Sequence, residues 1–288
     1  MDQLSVNMLS GVIVALILIM PLAYKWQIKM VTAFLGACVF GLLSGILSYN
    51  IGRSIELARI TIIMFQGTFI LTMASASAVF MFYRDPERTP PLDGESIVSP
   101  ADGTVLYVKR VTRGEVPLSL KNGRTLRLTE LAQADILNDG LYLIGIGMNL
   151  LNVHVNRAPI GGVVRLLKPV RGSFLSLKAE NAVLKNERFT TVIDNGSYLV
   201  GVVQIASRLV RRIETYVHEG QKIQKGERIG MIKFGSQVDL ILPQVDGLEV
   251  TVTPGDELKA GESIIARLQN YQAYIKEHQE HEYFVESH

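Results

Sequence analysis

Three short segments of the sequence contain side chains that could act together on a substrate or on the chain itself. They supply an aspartate, a histidine and a serine, and they lie far apart: Ser99-Pro-Ala-Asp-Gly103, Asn152-Val-His-Val-Asn-Arg-Ala-Pro159 and Phe234-Gly-Ser-Gln-Val-Asp239. Serine is a weak nucleophile at neutral pH and needs a neighbouring base, which a histidine can provide. An aspartate can hold that imidazole in one tautomer and stabilise its cation. Asp102, His154 and Ser236 are therefore candidates for a base-activated nucleophile.

Each of these residues also has a structural explanation that the sequence leaves open. Pro-Ala-Asp-Gly is a good turn, because Asp102 can bond its own backbone and glycine takes unusual backbone angles. His154 could be a hydrogen-bonded histidine within a strand. Gly235 and Ser236 could form a bulge between two strands. Taken one at a time, the three residues indicate catalysis only weakly, so the elements that position them have to be considered.

The composition divides the chain into an apolar front and a polar body. The chain has 288 residues, 48% of them hydrophobic, and a mean hydropathy of +0.24. Up to residue 82 the acidic residues are Asp2 and Glu56, and nearly all remaining charge lies beyond Tyr83. The apolar content excludes a disordered chain, and a net charge of +2 is too small to indicate a nucleic-acid-binding protein. The single cysteine, Cys38, excludes an intrachain disulfide framework and a cysteine-ligated zinc site.

Three apolar runs occupy the front, at about residues 6–24, 30–49 and 60–82. A helix that crosses the hydrocarbon core of a bilayer needs roughly 20 apolar residues, so each run predicts a membrane span. A cleaved signal peptide fits poorly, because residue 2 is an aspartate and two more apolar runs follow the first. The alternative, a set of buried helices in a large soluble core, is disfavoured by the low polarity of the runs.

The basic residues between the runs predict how the chain crosses the membrane. With three spans, the first connector and the segment after the third run lie on one side, and the second connector lies on the other. We therefore expect a multi-pass protein of the cell membrane with a cytoplasmic body. Four basic residues against two support this orientation: Lys25, Lys29, Arg84 and Arg88 against Arg53 and Arg59.

From residue 96 onward the sequence changes to short β-type runs broken by glycine. Such runs, with frequent turn signals, predict an all-β sandwich or barrel. The clearest runs are residues 103–109, 141–146, 197–203 and 238–242. Residues 206–215 could form a short helix or an edge strand, and the charged residues 268–285 could be helical or frayed.

An internal repeat refines this prediction. Residues 219–229 align with residues 254–264 at a constant offset of 35, and each unit consists of a glycine turn, a short strand, a second glycine turn and another strand. Glycine suits both turns because it adopts positive φ without a Cβ penalty. The pattern resembles half of a lipoyl- or biotinyl-type barrel-sandwich fold. Since the attachment lysine of those carriers is not evident, a carrier role is disfavoured.

Distinctive segments follow one another in a fixed order between Phe82 and about Leu268: Phe82-Tyr-Arg-Asp-Pro-Glu-Arg88, Ser99-Pro-Ala-Asp-Gly103, Asn152-Val-His-Val-Asn-Arg-Ala-Pro159, Asn186-Glu-Arg188, Gln204-Ile-Ala206, Arg211-Arg-Ile213 and Gly226-Glu-Arg-Ile-Gly-Met-Ile-Lys-Phe-Gly-Ser236. In these segments the sequence resembles the phosphatidylserine decarboxylases, in particular their short subtype. The long subtype has Leu-Gly-Ser-Thr at the processing site, whereas Phe-Gly-Ser-Gln in this chain looks like the short-subtype version.

The resemblance implies that the chain cleaves itself. Ser236 would attack the carbonyl of Gly235 and become the precursor of a covalent pyruvoyl group, so that pyruvate is the implied cofactor. The products would be a β chain of residues 1–235 and an α chain of residues 236–288. His154 matches the catalytic histidine of the family, and Asp102 matches the aspartate that orients it. The chemistry implied by the resemblance requires no metal.

The resemblance also implies the reaction and the partners. The pyruvoyl group would form a Schiff base with the headgroup amine of phosphatidylserine, release CO2 and yield phosphatidylethanolamine, with His154 protonating the Cα carbanion. The expected partners are therefore a phospholipid, the bilayer and, as in the family, a second copy in a homodimer. One alternative is decarboxylation of archaetidylserine or another serine phospholipid. A lesser alternative is a non-catalytic, membrane-anchored β-barrel scaffold.

The implied architecture is a mainly β, barrel-sandwich-hybrid-like decarboxylase domain preceded by transmembrane helices. We expect a membrane anchor over residues 1–83, the decarboxylase domain over residues 84–270 and a charged tail over residues 271–288.

A headgroup phosphate needs cationic or amide partners, and Arg157 and Arg84 are the candidates. The group Arg208, Arg211 and Arg212 is another, although a solvated basic face or contact with anionic lipid explains it equally well. In the tail, His278 and His281 could share a metal on one helix face, but a frayed charged tail is the simpler interpretation.

Overall fold

The computed structural model describes residues 2–26, 28–55, 58–111, 140–170, 187–206, 213–233 and 237–269. The chain divides into two compact units. The helical unit comprises residues 1–84 together with residues 149–151, and the β unit comprises residues 85–148 together with residues 152–288. The short segment 149–151 therefore belongs with the helices, although strands of the β unit flank it in the chain.

Three α-helices form most of the helical unit: α1 (Gln3–Lys25), α2 (Met30–Ser54) and α3 (Arg59–Tyr83). They coincide with the three predicted apolar runs. All three are long and apolar enough to cross a membrane, since at 1.5 Å per residue each measures roughly 35 Å against a hydrocarbon core of about 30 Å. The carboxylate of Asp2 caps α1 by accepting the backbone N–H of Ser5 at 3.0 Å.

Small residues bring α1 and α2 into close contact. A Cβ atom at Gly11 would overlap the carbonyl oxygen of Gly41, and one at Gly45 would overlap the backbone of Met8. Backbones that approach this closely gain packing contacts, which are the main source of helix association in a lipid environment. Larger side chains at these glycines would separate the two helices.

A buried amide joins the third helix to the other two. Gln66 of α3 is fully buried, and its Nε2 donates to the backbone oxygen of Asn7 and to the hydroxyl of Ser48, both at 3.0 Å. Its Oε1 accepts the hydroxyl of Ser10 at 3.0 Å. Both polar atoms of the amide are thus satisfied within the unit, which is the condition for burying such a group among apolar helices.

The β unit contains the predicted strands, and the mainly β fold class is confirmed. The predicted runs appear as β2, β3, β7 and β11, with their ends shifted by at most two residues. The described strands are β1 (Ser96–Val98), β2 (Gly103–Val111), β3 (Leu141–Gly147), β4 (Val155–Arg157), β5 (Gly162–Val170), β6 (Arg188–Asp194), β7 (Leu199–Ile205), β8 (Ile213–Thr215), β9 (Lys222–Ile223), β10 (Arg228–Ile232), β11 (Gln237–Pro243), β12 (Leu248–Val250), β13 (Glu257–Leu258) and β14 (Ile264–Leu268).

An eight-stranded antiparallel sheet, in the order β13-β2-β3-β11-β7-β6-β5-β9, forms the centre of the unit. Two three-stranded sheets, β1-β14-β12 and β4-β10-β8, complete the described strands. Side chains alternate across the large sheet, so that Val238 and Leu240 join one hydrophobic cluster while Ile241 joins another on the opposite face. Because both faces are covered, all seven residues of β11 are buried.

The internal repeat takes the predicted form. One copy supplies β9 and β10 and the other supplies β13 and β14, each pair separated by a glycine turn. Gly226 and Gly261, which are equivalent in the two copies, have φ of +82° and +76°, a backbone conformation that glycine adopts without steric penalty. A side chain at Gly261 would also overlap the side chain of Arg157. The repeat is therefore part of the packing around the candidate site.

Two expectations fall at the edges of the described structure. The sequence predicts a short helix or an edge strand over residues 206–215. Residues 213–215 form β8, an edge strand of its sheet, whereas residues 207–212 lie outside the described residues. The structure describes the chain as far as residue 269, so the proposed tail, with His278 and His281, lies outside the described residues as well.

Candidate active site

The turn between β1 and β2 holds Asp102 in a buried position, with 6% of the residue exposed. Its Oδ1 accepts the backbone N–H of Ala260 at 2.8 Å, and its Oδ2 accepts the backbone N–H of Val153 at 3.4 Å. The guanidinium of Arg88 lies 3.2 Å from both oxygens. The ion pair and the two amide donors replace the hydrogen bonds to water that a buried carboxylate loses.

Arg88 also belongs to this site, although the sequence by itself indicates no role for it there. Its other terminal nitrogen donates to Glu262 at 3.1 Å, and its side chain is 9% exposed. The guanidinium therefore links Asp102 to the second copy of the repeat, which contains Glu262. Its place at the end of the segment Phe82 to Arg88, one of those that carry the family resemblance, was the available signal, but nothing in the sequence pairs it with Asp102.

His154 lies just before β4 and is fully buried. Its Nδ1 is 2.8 Å from the backbone oxygen of Asn152. A carbonyl oxygen can only accept, so Nδ1 carries the proton in this geometry and Nε2 carries the lone pair. Burial lowers the pKa of His154 from 6.5 to about 4. The imidazole is therefore neutral at physiological pH and can accept a proton.

The structure connects Asp102 and His154 through the intervening backbone. Asp102 accepts the N–H of Val153, and Val153 directly precedes His154. The carboxylate thus helps to fix the peptide that carries the imidazole. The role of Asp102 in orienting His154 stays a prediction, and this backbone contact is the route by which it would act.

β4 ties the same turn to the rest of the unit. Asn156 donates from its side chain to the backbone oxygen of Pro100 at 3.3 Å, and its Oδ1 accepts Nε2 of Gln204 on β7 at 2.8 Å. All three residues are buried. The turn that contains Asp102 is thereby held against both β4 and the large sheet.

Arg157, proposed from the sequence to contact phosphate, is 4% exposed and surrounded by protein acceptors. Its guanidinium donates to the backbone oxygens of Gly226 and Pro86 and to the carboxylate of Asp85, all at 3.0 Å. These contacts join the entry segment of the β unit to the first copy of the repeat. They favour a structural role for Arg157, and its contact with phosphate stays a prediction.

The other proposed phosphate ligands are less informative. Arg84 directly follows α3 and belongs to the helical unit, where its guanidinium donates to the backbone oxygen of Leu151 at 3.0 Å and lies 3.2 Å from the sulfur of Met81. Its proposed contact with phosphate stays a prediction. The arginines of the third group lie outside the described residues: Arg208, Arg211 and Arg212.

Gly235 and Ser236 also lie outside the described residues, but the strands on either side of them are described. The backbone N–H of Ile232, at the end of β10, donates to the backbone oxygen of His154 at 3.2 Å. Gln237, directly after Ser236, begins β11 and pairs with strands on both sides. The chain therefore leaves a strand bonded to His154 and, after a short connection, enters the centre of the large sheet.

A buried polar cluster follows Ser236 on β11. The carboxylate of Asp239 accepts the hydroxyl of Tyr107 at 2.8 Å and Nε2 of Gln237 at 2.7 Å, and the same Nε2 lies 2.8 Å from the Tyr107 hydroxyl. Burial raises the pKa of Asp239 from 3.8 to about 6, although both hydrogen bonds and the charge of Lys109 oppose the rise. The sequence reasoning gave no role to this aspartate.

Among the described residues, no group of three or more histidine, cysteine, aspartate or glutamate side chains could hold a metal ion. The described part of the site offers an aspartate in an ion pair, a neutral imidazole and backbone groups. A neutral imidazole can transfer protons, which is the chemistry that a prosthetic group made from a serine of the chain would need.

The fold and the site together define a β-rich domain, attached to apolar helices, with a buried neutral imidazole that can transfer protons. The sequence model of the family described as phosphatidylserine decarboxylase matches residues 76–266. The chain therefore belongs to the phosphatidylserine decarboxylase family and is an enzyme of the decarboxylase class.

Individual relatives agree with this assignment. A protein of Methanocaldococcus jannaschii, provisionally named archaetidylserine decarboxylase proenzyme, is 43% identical over 185 residues, which cover 64% of this chain and 87% of the relative. The phosphatidylserine decarboxylase proenzyme of Azorhizobium caulinodans is 40% identical over 201 residues, covering 69% and 78%. That of Chlorobium phaeobacteroides is 39% identical over 201 residues, covering 68% and 84%.

Proposed function

We propose that this protein is a membrane-anchored proenzyme that cleaves itself between Gly235 and Ser236 and then decarboxylates phosphatidylserine to phosphatidylethanolamine. The observation that carries the proposal is the buried, neutral His154, bonded to the strand that leads to Gly235 and Ser236 in a chain of this family. The mature enzyme would consist of residues 1–235 and residues 236–288.

In the processing step, neutral His154 accepts the hydroxyl proton of Ser236 as the serine oxygen attacks the carbonyl carbon of Gly235. The histidine needs no deprotonation beforehand, because burial lowers the pKa of its imidazole to about 4. Asp102 supports this step by holding the Val153 peptide, and Arg88 holds Asp102. His154 would then pass the proton to the amide nitrogen of residue 236 as the peptide bond becomes an ester. Elimination would break the Cβ–O bond of residue 236, which releases residues 1–235 with a terminal carboxylate and leaves dehydroalanine. Water would convert the dehydroalanine to the pyruvoyl group with loss of ammonia.

In turnover, the pyruvoyl group derived from Ser236 supplies an electron sink for the loss of CO2. The protein residues orient the substrate, exclude water and move protons. Protonated His154 gives up its proton readily, because burial lowers the pKa of its imidazole to about 4. It is therefore suited to deliver a proton to the Cα atom of the substrate after CO2 leaves.

The three apolar helices favour a substrate that stays in the bilayer, because an enzyme anchored there meets a lipid by lateral diffusion. We propose that the helices span the cell membrane with the β unit in the cytoplasm, which follows from the distribution of lysine and arginine. As in the family, we expect a homodimer. Archaetidylserine is the second candidate substrate, favoured by the 43% identity to the M. jannaschii protein that carries this name.

Intact mass spectrometry of the purified protein tests the processing step. We expect two chains that meet between Gly235 and Ser236, with a pyruvoyl group at the start of the smaller one. Ser236→Ala should leave one chain, and His154→Ala should slow cleavage by at least about 100-fold. The matched control is His218→Ala, which removes an exposed histidine and should cleave normally.

Vesicles that contain either phosphatidylserine or archaetidylserine then identify the substrate through the aminophospholipid formed and the CO2 released. Comparable rates on both lipids would show that the enzyme recognises the headgroup and not the tails. A wild-type chain that stays uncleaved in lipid and releases no CO2 would contradict the proposal and favour a non-catalytic scaffold.

A further inference from the structure

The helical unit contains an open cavity of about 220 Å³ that the proposed mechanism does not use. It is lined by the C-terminal half of α1, the N-terminal half of α2, the end of α3 and the segment 149–151. Among its described lining residues, Trp26, Thr32 and Ser77 have the side chains with polar atoms, and all others are apolar. A cavity of this chemistry favours a hydrocarbon occupant, because polar ligands would lose hydrogen bonds to water there.

We propose that this cavity binds one hydrocarbon tail of the lipid substrate. The inference rests on the proposed function and adds a tail-binding site to it. Leu150 and Leu151 line the cavity, and only two residues separate Leu151 from His154 in the chain. Three residue steps span at most about 11 Å. A lipid whose tail contacts Leu151 can therefore present its headgroup to the segment that carries the imidazole.

A hydrogen bond fixes the segment 149–151 in the wall of the cavity. The guanidinium of Arg84 donates to the backbone oxygen of Leu151 at 3.0 Å, and Met81, one turn earlier on α3, lines the cavity and contacts the same guanidinium. The segment 149–151 is thereby attached to the end of α3. The wall formed by Leu150 and Leu151 is therefore a built feature of the helical unit.

Charge around the cavity matches a serine phospholipid. Lys25 and Lys29 flank the lining residues Trp26 and Ile28 in the connector between α1 and α2. A serine phospholipid carries a phosphate, a carboxylate and an ammonium group, so its headgroup has a net negative charge. Basic residues near a bilayer surface attract such headgroups. The cationic rim therefore favours the tail of this lipid over that of a zwitterionic neighbour.

Two glycines of α2 allow a matched test. Gly36 lines the cavity, and a Cβ atom there would meet no heavy atom within 4 Å. Gly52 also has this freedom, but it does not line the cavity. Gly36→Leu should therefore fill the cavity without disturbing the backbone, while Gly52→Leu introduces the same side chain elsewhere on the helix.

The activity test compares dioleoyl-phosphatidylserine in nanodiscs with dihexanoyl-phosphatidylserine below its micellar concentration. Loss of two buried methylene groups is enough for about a tenfold effect on affinity. We expect Gly36→Leu to lower kcat/KM at least tenfold for the long-chain lipid and less than twofold for the short-chain lipid. Gly52→Leu should match wild type on both, and mass spectrometry should show complete cleavage in both variants.

The single tryptophan provides a binding test that needs no turnover, because Trp26 lines the cavity. The full chain with Ser236→Ala is placed in nanodiscs that contain a small, equal fraction of lipid with brominated tails. We expect brominated phosphatidylserine to quench Trp26 fluorescence more than brominated phosphatidylcholine does. Gly36→Leu should abolish this difference, and Gly52→Leu should preserve it.

Two results would overturn the assignment. Equal quenching by both brominated lipids in the parent chain would show that the cavity holds bulk lipid. A loss of activity in Gly36→Leu that is equal for long and short tails would show that the leucine acts on the helices and not on tail binding. Failure of the proposed function is distinguishable from failure of the tail-binding site, because the wild-type protein would then neither cleave its own chain nor decarboxylate the lipid.

Discussion

Replacement of Asp239 by asparagine tests whether this buried carboxyl and His154 oppose one another in the pH dependence of stability. Asp239 has a pKa of about 6 in the folded protein against an ordinary value of 3.8, because burial disfavours its charged form. A raised pKa means that the stability contributed by the protonated carboxyl is present below the ordinary value and is lost as the pH rises through 6. His154 acts in the opposite direction.

The pKa of His154 falls from 6.5 to about 4 on burial. The stability contributed by its neutral imidazole is therefore present above pH 6.5 and is lost as the pH falls through 4. Between pH 7 and pH 4.5, linkage assigns about 2 kcal/mol to each group. On acidification the protein gains this amount from Asp239 and loses a similar amount at His154. The two contributions nearly cancel, and Asp239→Asn should expose the loss at His154.

The assay is thermal unfolding in detergent, followed from pH 7 to pH 4.5 in a Ser236→Ala background that keeps the chain intact. Relative to the parent, Asp239→Asn should lose about 2 kcal/mol over this range, which lowers Tm by about 4–8 °C for a domain of roughly 200 residues. His154→Gln is the mirror-image control and should gain stability over the same range. Because both variants are compared with the same parent, other titrating groups cancel.

A constant Tm difference between Asp239→Asn and the parent across the range would refute this reasoning. It would mean that the carboxyl titrates alike in the folded and unfolded chains. A constant offset of about 1 kcal/mol is expected in addition, because the amide of asparagine introduces a donor beside Tyr107 and Gln237. Only the change of the difference with pH measures the linkage.

Three further predictions concern the site and the helices. Arg88→Met should destabilise the β unit by about 3–5 kcal/mol and slow self-cleavage at least tenfold, because it leaves the buried carboxylate of Asp102 without its ion pair. The control Arg228→Met breaks more exposed ion pairs and should cost about 1 kcal/mol or less. Equal losses of stability in the two variants would contradict this prediction. The rate of self-cleavage, followed on gels, should stay constant from pH 8 to pH 5.5, since His154 is neutral throughout, and a decline centred on pH 6.5 would contradict its lowered pKa. Gly45→Leu should separate α1 from α2, because a side chain there overlaps the backbone of α1; a Tm in nanodiscs equal to that of wild type would show that close packing is not required.

Much of the architecture follows from local pattern. Three apolar runs of about 20 residues predict the three helices, because length and hydropathy are local properties. Alternation and glycine punctuation predict strands such as β3 and β11. The aligned glycines predict the repeat, since a turn at positive φ has a direct residue preference. The order of the motifs likewise predicts the family, which the comparisons confirm. The same motifs supply the candidate residues Asp102, His154 and Ser236, whose roles stay predictions.

Other features depend on groups that meet only when the chain folds. Arg88 and Asp102 are close in sequence. Their further partners are distant, since Glu262 lies 174 residues after Arg88 and Ala260 lies 158 residues after Asp102. The sequence predicts that Arg157 contacts phosphate, whereas its acceptors at Asp85 and Gly226 are apparent only in the fold. The pKa values of His154 and Asp239 depend on complete burial, which no local segment specifies. Residue types and spacing therefore determine the elements and the candidate chemistry. The charge states of buried groups, their hydrogen-bond partners and the apolar cavity of the helical unit are decided by tertiary packing, because desolvation and long-range contacts exist only in the folded chain.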